Sequence, residues 1–129
     1  CNVRRCRLFY SESLIYEAYG GLQNDGIMLA VYYDVDATKI VHQLDSWEKI
    51  NDSPTISSIL KNVSSYFGLD FVIPEIASGN FFLYDNSQHK ELRSEAEMNT
   101  LLLHSEDVNF SLVVWDDEKH TIYIVEYRI

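Results

Sequence analysis

Few residues in this chain have the type and spacing to do chemistry, and no group of them is organised for it. Its two cysteines, Cys1 and Cys6, stand near one end with four residues between them. Two thiols cannot complete a tetrahedral zinc site, and one close pair is not a disulfide framework, so a reducing compartment is expected. Cys6 beside a histidine would make an activated thiolate nucleophile. His42, His89, His104 and His120 are dispersed, however, and no local pattern couples one of them to a thiol. His42 alternates with Ile40 and Leu44 as a partly buried strand residue would, and His89 falls in a turn, so structural roles are expected. Asp34-Val-Asp36 is formally a carboxylate pair for a divalent cation. It lies in a turn-like stretch with no glycine-rich or nucleotide motif beside it, and a turn aspartate pair is the plainer reading. G-x-S-x-G, P-loop, dinucleotide and H-E-x-x-H patterns are absent. The expectation is a protein without catalysis, cofactor or metal, although a site assembled only in three dimensions leaves no motif.

What remains is surface. The 129 residues carry a formal charge of −10, which repels nucleic acid and anionic membrane and attracts a basic protein partner. Carboxylates gather at the turn tips Asp116-Asp117-Glu118 and Glu106-Asp107. Such tips are either simply solvated or form a negative pole that speeds encounter with a cationic protein. Tyr32, Tyr33 and Trp47 are the aromatic candidates for interface anchors, since interfaces favour Tyr and Trp. Arg4, Arg5 and Arg7 form a basic cluster that reads as a solvated arm or as a docking arm for an acidic partner. Asn51, Asn62 and Asn109 each open a glycosylation-type triplet; the first is followed by Pro54 and the second falls within a helix, so chance is the better reading. With no secretory signal and no apolar run of spanning length, an intracellular, cytoplasmic protein is expected, with no membrane partner.

The elements that must position these residues are organised around Ser53–Asp70. Ser53 suits an N-cap and Pro54 the first helical position. Ile56, Ile59, Leu60, Val63 and Phe67 recur on one helical face, and Gly68 supplies the stop. Ser11 to Tyr19 reads as a short helix ended by Gly20-Gly21, and Gln23 to Gly26 as a turn. Ile27 to Leu44 reads as a hairpin, with IMLAVYYD outward, DVDA connecting and TKIVHQL returning. Phe71 to Ile76 is a brief extended piece, barred from a central strand by Pro74. Phe81 to Tyr84 is a strand, Asp85 to Gln88 a turn, and Lys90 to Leu92 a short return. Ser94-Glu-Ala-Glu97 is a capping box opening a second helix to about His104. Phe110 to Trp115 and Thr121 to Ile129 are two strands joined at Asp116 to Lys119. The last is almost continuously apolar, which requires a central place or cover on both faces. Apolar residues at 47%, with nine Tyr, six Phe and two Trp, favour one strand-rich domain whose core needs no disulfide or metal.

Hairpin, long helix, strand, turn, capped short helix and closing strand follow one another as in the ubiquitin-like β-grasp superfamily. The stretch from Ile27 to Trp115 resembles it, including NFFLYDNSQHKELRSEAEMNTLLLHSEDVNFSLVVW over Asn80 to Trp115. The resemblance implies an α+β fold, a mixed sheet with one long helix packed across it and one short helix. Residues 1–26 would then be an N-terminal extension, and 27–129 a ubiquitin-like domain with an extra C-terminal strand. A conjugated modifier of that superfamily ends in Gly-Gly, whereas this chain ends Glu126-Tyr-Arg-Ile129. A PB1-like domain would carry carboxylates where Asn86, Ser87 and Gln88 stand, and a Ras-binding-type domain more basic residues than Lys39 and His42. The resemblance therefore implies a generic, non-catalytic protein–protein interaction domain within a larger protein or assembly. Small size and acidity suggest an alternative, an inhibitor or immunity protein that neutralises a basic nuclease or toxin. No residue pattern sets the oligomeric state.

Overall fold

In the computed structural model, which describes residues 12–19, 26–50, 53–66, 73–103 and 108–128, the almost continuously apolar stretch at 121–128 becomes an inner strand of a sheet. The strands are β1 (Glu12–Tyr19), β2 (Gly26–Tyr33), β3 (Glu48–Lys49), β4 (Gly79–Asp85), β5 (Lys90–Leu92), β6 (Asn109–Asp116) and β7 (Thr121–Arg128). Three helices join them, α1 (Val41–Leu44), α2 (Pro54–Tyr66) and α3 (Glu95–Leu103), so the class is α+β. Across the sheet the order is β1-β2-β7-β6-β4, and the outer edge of β4 is shared by β3 at Asn80–Phe81 and β5 at Leu83–Asp85. Arg93, just past β5, joins those two short strands through ion pairs to Glu91 at 2.9 Å and Glu48 at 3.3 Å.

Period-two alternation divides the side chains of the sheet between two cores. On one face Leu29, Tyr123, Leu112, Phe81 and their strand neighbours pack under α2 and Met98 of α3. Helix α2 forms as its spacing predicts: Ile56, Ile59, Leu60 and Val63 are all buried, and Ser53 Oγ accepts the Ile56 N–H at 3.2 Å. Helix α3 opens on the expected capping box, with Glu97 N–H donating to Ser94 Oγ at 3.1 Å and Ser94 N–H to Glu97 Oε1 at 3.2 Å. On the other face Ala30, Ile124, Ile122, Val113 and Trp115 lie under a strap, residues 34–47, whose Val35 and Ile40 are buried against them. Phe67, Gly68, the expected stop at Gly20-Gly21, most of the expected turn Gln23 to Gly26, His104 and the residues preceding Glu12 lie outside the described residues.

Four expectations are corrected. Residues 12–19 are not a short helix but β1, paired with β2 in register from Glu12–Tyr33 to Tyr19–Gly26; tertiary pairing overrides a weak helical pattern. The return strand TKIVHQL does not exist. Both edges of β2 are taken, by β1 and β7, and the chain after β2 turns instead into a 3₁₀ turn at Ala37–Lys39 and then α1. His42 is accordingly an exposed residue of α1, not a half-buried strand residue. The mixed sheet is also absent among the described strands, because every pairing is antiparallel. The reading of β7 as central does hold, since it pairs β2 on one side and β6 on the other.

Two hairpins of this sheet use the same device. Asp85 Oδ1 accepts the N–H groups of Ser87 and Gln88 at 2.9 and 3.2 Å, and Asp116 Oδ1 those of Glu118 and Lys119 at 3.1 and 3.2 Å. Each four-residue loop closes on a histidine in the left-handed region, His89 at φ 54° and His120 at φ 48°. Left-handed backbone costs an L-residue about 1 kcal/mol, so His89→Gly and His120→Gly should each be neutral or stabilising by up to about 1 kcal/mol. Gly79 presents the opposite case, as a Cβ there would lie 1.9 Å from the Trp115 carbonyl oxygen. Gly79→Ala should destabilise by at least about 2 kcal/mol, because the obstacle is backbone in the adjoining strand. Urea unfolding of the three variants, followed by circular dichroism, checks both signs.

Candidate protein-docking site

The strap begins where β2 ends. Asp34 adopts a positive φ of 52°, and the Val35 N–H donates to the His120 carbonyl at 2.8 Å, tying the strap to the loop of the β6–β7 hairpin. Asp36 then caps the 3₁₀ turn, accepting from Thr38 N–H at 3.0 Å and Thr38 Oγ1 at 2.7 Å. Those two bonds, side chain first, hold the Asp36 carboxyl below the usual carboxylate range, with Lys39 adding to them against a small desolvation. The exposed carboxylates Asp34 and Asp36 are thereby brought to the end of the sheet that also carries exposed Asp117 and Glu118. Further along the strap Val41, 45% exposed, is the one large hydrophobic residue classed as exposed among the described residues, and Asp45 is exposed beyond it.

The six residues expected to form a docking surface are not gathered as one patch. Tyr32 and Tyr33 point to opposite faces, as neighbours on a strand must: Tyr32 packs with the strap-side core and Tyr33 with the helix-side core. Trp47 is half-buried at the end of the strap, its ring 6.2 Å from that of Phe82. Asp117 and Glu118 are exposed as expected, and Asp117 also accepts from the Trp115 indole N–H at 3.3 Å. Asp116 is 2% exposed, and its Oδ1 is turned inward to hold the loop. Its charge and that of Tyr33 assist burial, the largest effect, in pushing the Tyr123 hydroxyl up to about 12.

Sequence reasoning missed Val41 and the pairing of Asp34 and Asp36 with the hairpin tip, because both depend on a strap that the residue types disguised as a strand. The available signal was Asp36-Ala-Thr38, an Asx-type turn opener that competes with a continuing strand. Among the described residues no group of three or more His, Cys, Asp or Glu is placed to hold a metal. No helix among them is long and apolar enough to cross a membrane. Cys1, Cys6, Arg4, Arg5, Arg7, His104, Glu106 and Asp107 lie outside the described residues. Comparison with family models, with curated proteins and with solved structures finds no match for this chain.

At the other end of the sheet the acidic residues serve the fold. Lys90 pairs with Glu97 at 3.0 Å, and Glu97 is held at about 2, first by that ammonium and then by the N–H groups of Ser94 and Arg93 and the Ser94 hydroxyl. Burial pushes the neighbouring Glu95 carboxyl up, but hydrogen bonds from Ser53 and Thr55 at the start of α2 outweigh it and leave it below its ordinary value. Both groups therefore favour the charged form in the folded protein. Their stabilisation is complete above the ordinary value of 4.5 and is lost as pH falls toward 2. Unfolding free energy measured in urea at stepped pH should decline through that window, and Glu97→Gln should make the decline shallower. An unchanged profile in the variant would contradict the assignment.

Proposed function

We propose that this chain is a non-catalytic protein-interaction domain, working inside a larger assembly, that docks a cationic protein through the acidic end of its sheet. The observation that carries this reading is the Val35–His120 backbone bond, which ties the strap to the β6–β7 loop, so that the turns bearing exposed Asp34 and Asp36 and exposed Asp117 and Glu118 are joined at one end of the sheet. A formal charge of −10 extends the attraction beyond contact range and raises the encounter rate. Val41 and half-buried Trp47 add apolar area further along the same strap, which a purely electrostatic encounter would not need. The ubiquitin-like assignment draws support from α2 lying on one sheet face and from the succession of β4, turn, β5, capped α3 and β6. The antiparallel pairings weigh against it.

A second reading, an acidic inhibitor of a basic nuclease or toxin, shares the surface and differs in how it answers to salt. Wild-type protein and a variant carrying Asp34→Asn, Asp36→Asn, Asp117→Asn and Glu118→Gln are used as baits in native lysate at low and high salt. Each substitution keeps a carbonyl acceptor where the carboxylate accepts a bond, so the strap and loop should stay folded. A partner held by wild type at both salts and captured about tenfold less by the variant supports the interaction domain. A single basic enzyme held at low salt and shed at high salt supports the inhibitor. Equal capture by wild type and variant of every partner would sink both.

A further inference from the structure

Asp85 is a buried carboxylate with an unused oxygen. It is 3% exposed, and both N–H groups that it accepts, from Ser87 and Gln88, go to Oδ1. No described residue donates to Oδ2. Burying a carboxylate without pairing it is expensive, so such a group is normally matched by a cation or by further donors. The nearest basic residue by register is Lys90, which stands opposite Asp85 across the β4–β5 pair and also lines the cleft, where its ammonium is paired with Glu97 at 3.0 Å. Oδ2 is not among the sealed orphan atoms of the protein, which distinguishes it from Glu95 Oε1, also without a partner. Asp85 lines a cleft of about 260 Å³ between the β4–β5 hairpin and α3, together with Leu92, Leu101, Thr100 and the Lys90–Glu97 ion pair.

We infer that this cleft is a binding site for an alkylammonium or alkylguanidinium group, with Asp85 Oδ2 as the charge partner and Leu92 and Leu101 as the surface for the aliphatic stem. The chemistry follows from the lining. One buried carboxylate supplies a fixed negative charge in a poorly solvated setting, where an ion pair is worth more than at the open surface. Leucine side chains beside it favour methylene groups over water. Glu97 is already neutralised by Lys90, so the uncompensated charge at the cleft is that of Asp85. A free amine and a lysine or arginine side chain on a protein share this chemistry. The inference does not rest on the docking surface described above, which lies at the other end of β4 and β6 from Asp85.

The test is a heteronuclear NMR titration of the whole chain with three probes: agmatine, a blocked lysine (Nα-acetyl-lysine methylamide) and n-butanol as the uncharged control. Saturable shifts at Ser87, Gln88, Thr100 and Leu101 are expected with both cations, in roughly the millimolar range for ligands of this size, and none with butanol. Asp85→Asn keeps an oxygen for the loop N–H groups and removes the charge, so it should bind about tenfold more weakly or not at all. Asp116→Asn makes the same change in the twin hairpin and should bind as wild type. If Asp85→Asn does not fold, Thr100→Arg leaves Asp85 in place and sets a competing guanidinium in the cleft wall, and it should abolish the shifts. Tighter binding of agmatine would assign the cleft to soluble amines, and tighter binding of the blocked lysine to a protein side chain; both support the site. Absence of saturable shifts, shifts elsewhere, or equal binding by Asp85→Asn would overturn it.

Discussion

Everything in this molecule depends on β7 being paired on both sides and covered on both faces. Ile122 and Ile124 supply one core, Tyr123 and Val125 the other, and all four are buried. Burying one such side chain is worth about 1.5–3 kcal/mol, whereas an exposed ion pair such as Arg93 with Glu48 contributes at most about 1 kcal/mol. The register of β7 against β2 and β6 is therefore the decision from which the rest follows. A slip of one residue would exchange the two cores, presenting α2 with residues shaped for the strap. The strap and α2 pack on opposite faces of the sheet, yet each is held in place by the same strand.

The hairpin loops show how one residue type divides its labour. Asp85 and Asp116 turn their carboxylates inward and replace a missing partner for loop N–H groups, while Asp117 and Glu118, one and two positions later, point to solvent. Net charge alone does not reveal this difference. Only the exposed members act at a distance on a partner, and the buried ones matter to stability and, at Asp85, to what enters the cleft. An acidic cluster read from a sequence is thus a mixture of structural and available charges, and the two are separated by which N–H groups need satisfying.

Local signals were legible wherever the chain satisfies itself within a few residues. The Ser53 cap, the apolar face of α2, the Ser94–Glu97 box and both Asp-led turns were all visible, because each is closed by contacts three or four positions apart. What failed was pairing at a distance. TKIVHQL looks like a return strand, and nothing in those residues announces that β7, some eighty positions further on, has taken the place beside β2. Similarly, ESLIYEAY satisfies a helical template and a strand template about equally, and the neighbour decides. The candidate site was half legible for the same reason: the tip carboxylates could be read, but the strap that completes their surface could not.

The shared cover of β4 by β3 and β5 has a consequence for how the chain reaches this state. The two pieces come from positions 48–49 and 90–92, so the outer rim of β4 is closed only when segments from either side of it in the sequence have both arrived. Until then β4 offers a bare row of N–H and C=O groups with Phe81 and Phe82 exposed beside it, a template on which another unfinished chain can add a strand. Once closed, the rim is short, interrupted and charged, and it no longer invites such growth. Protection of this rim is a property of the completed fold alone, and in the interval before β3 and β5 dock it is open to association with another chain.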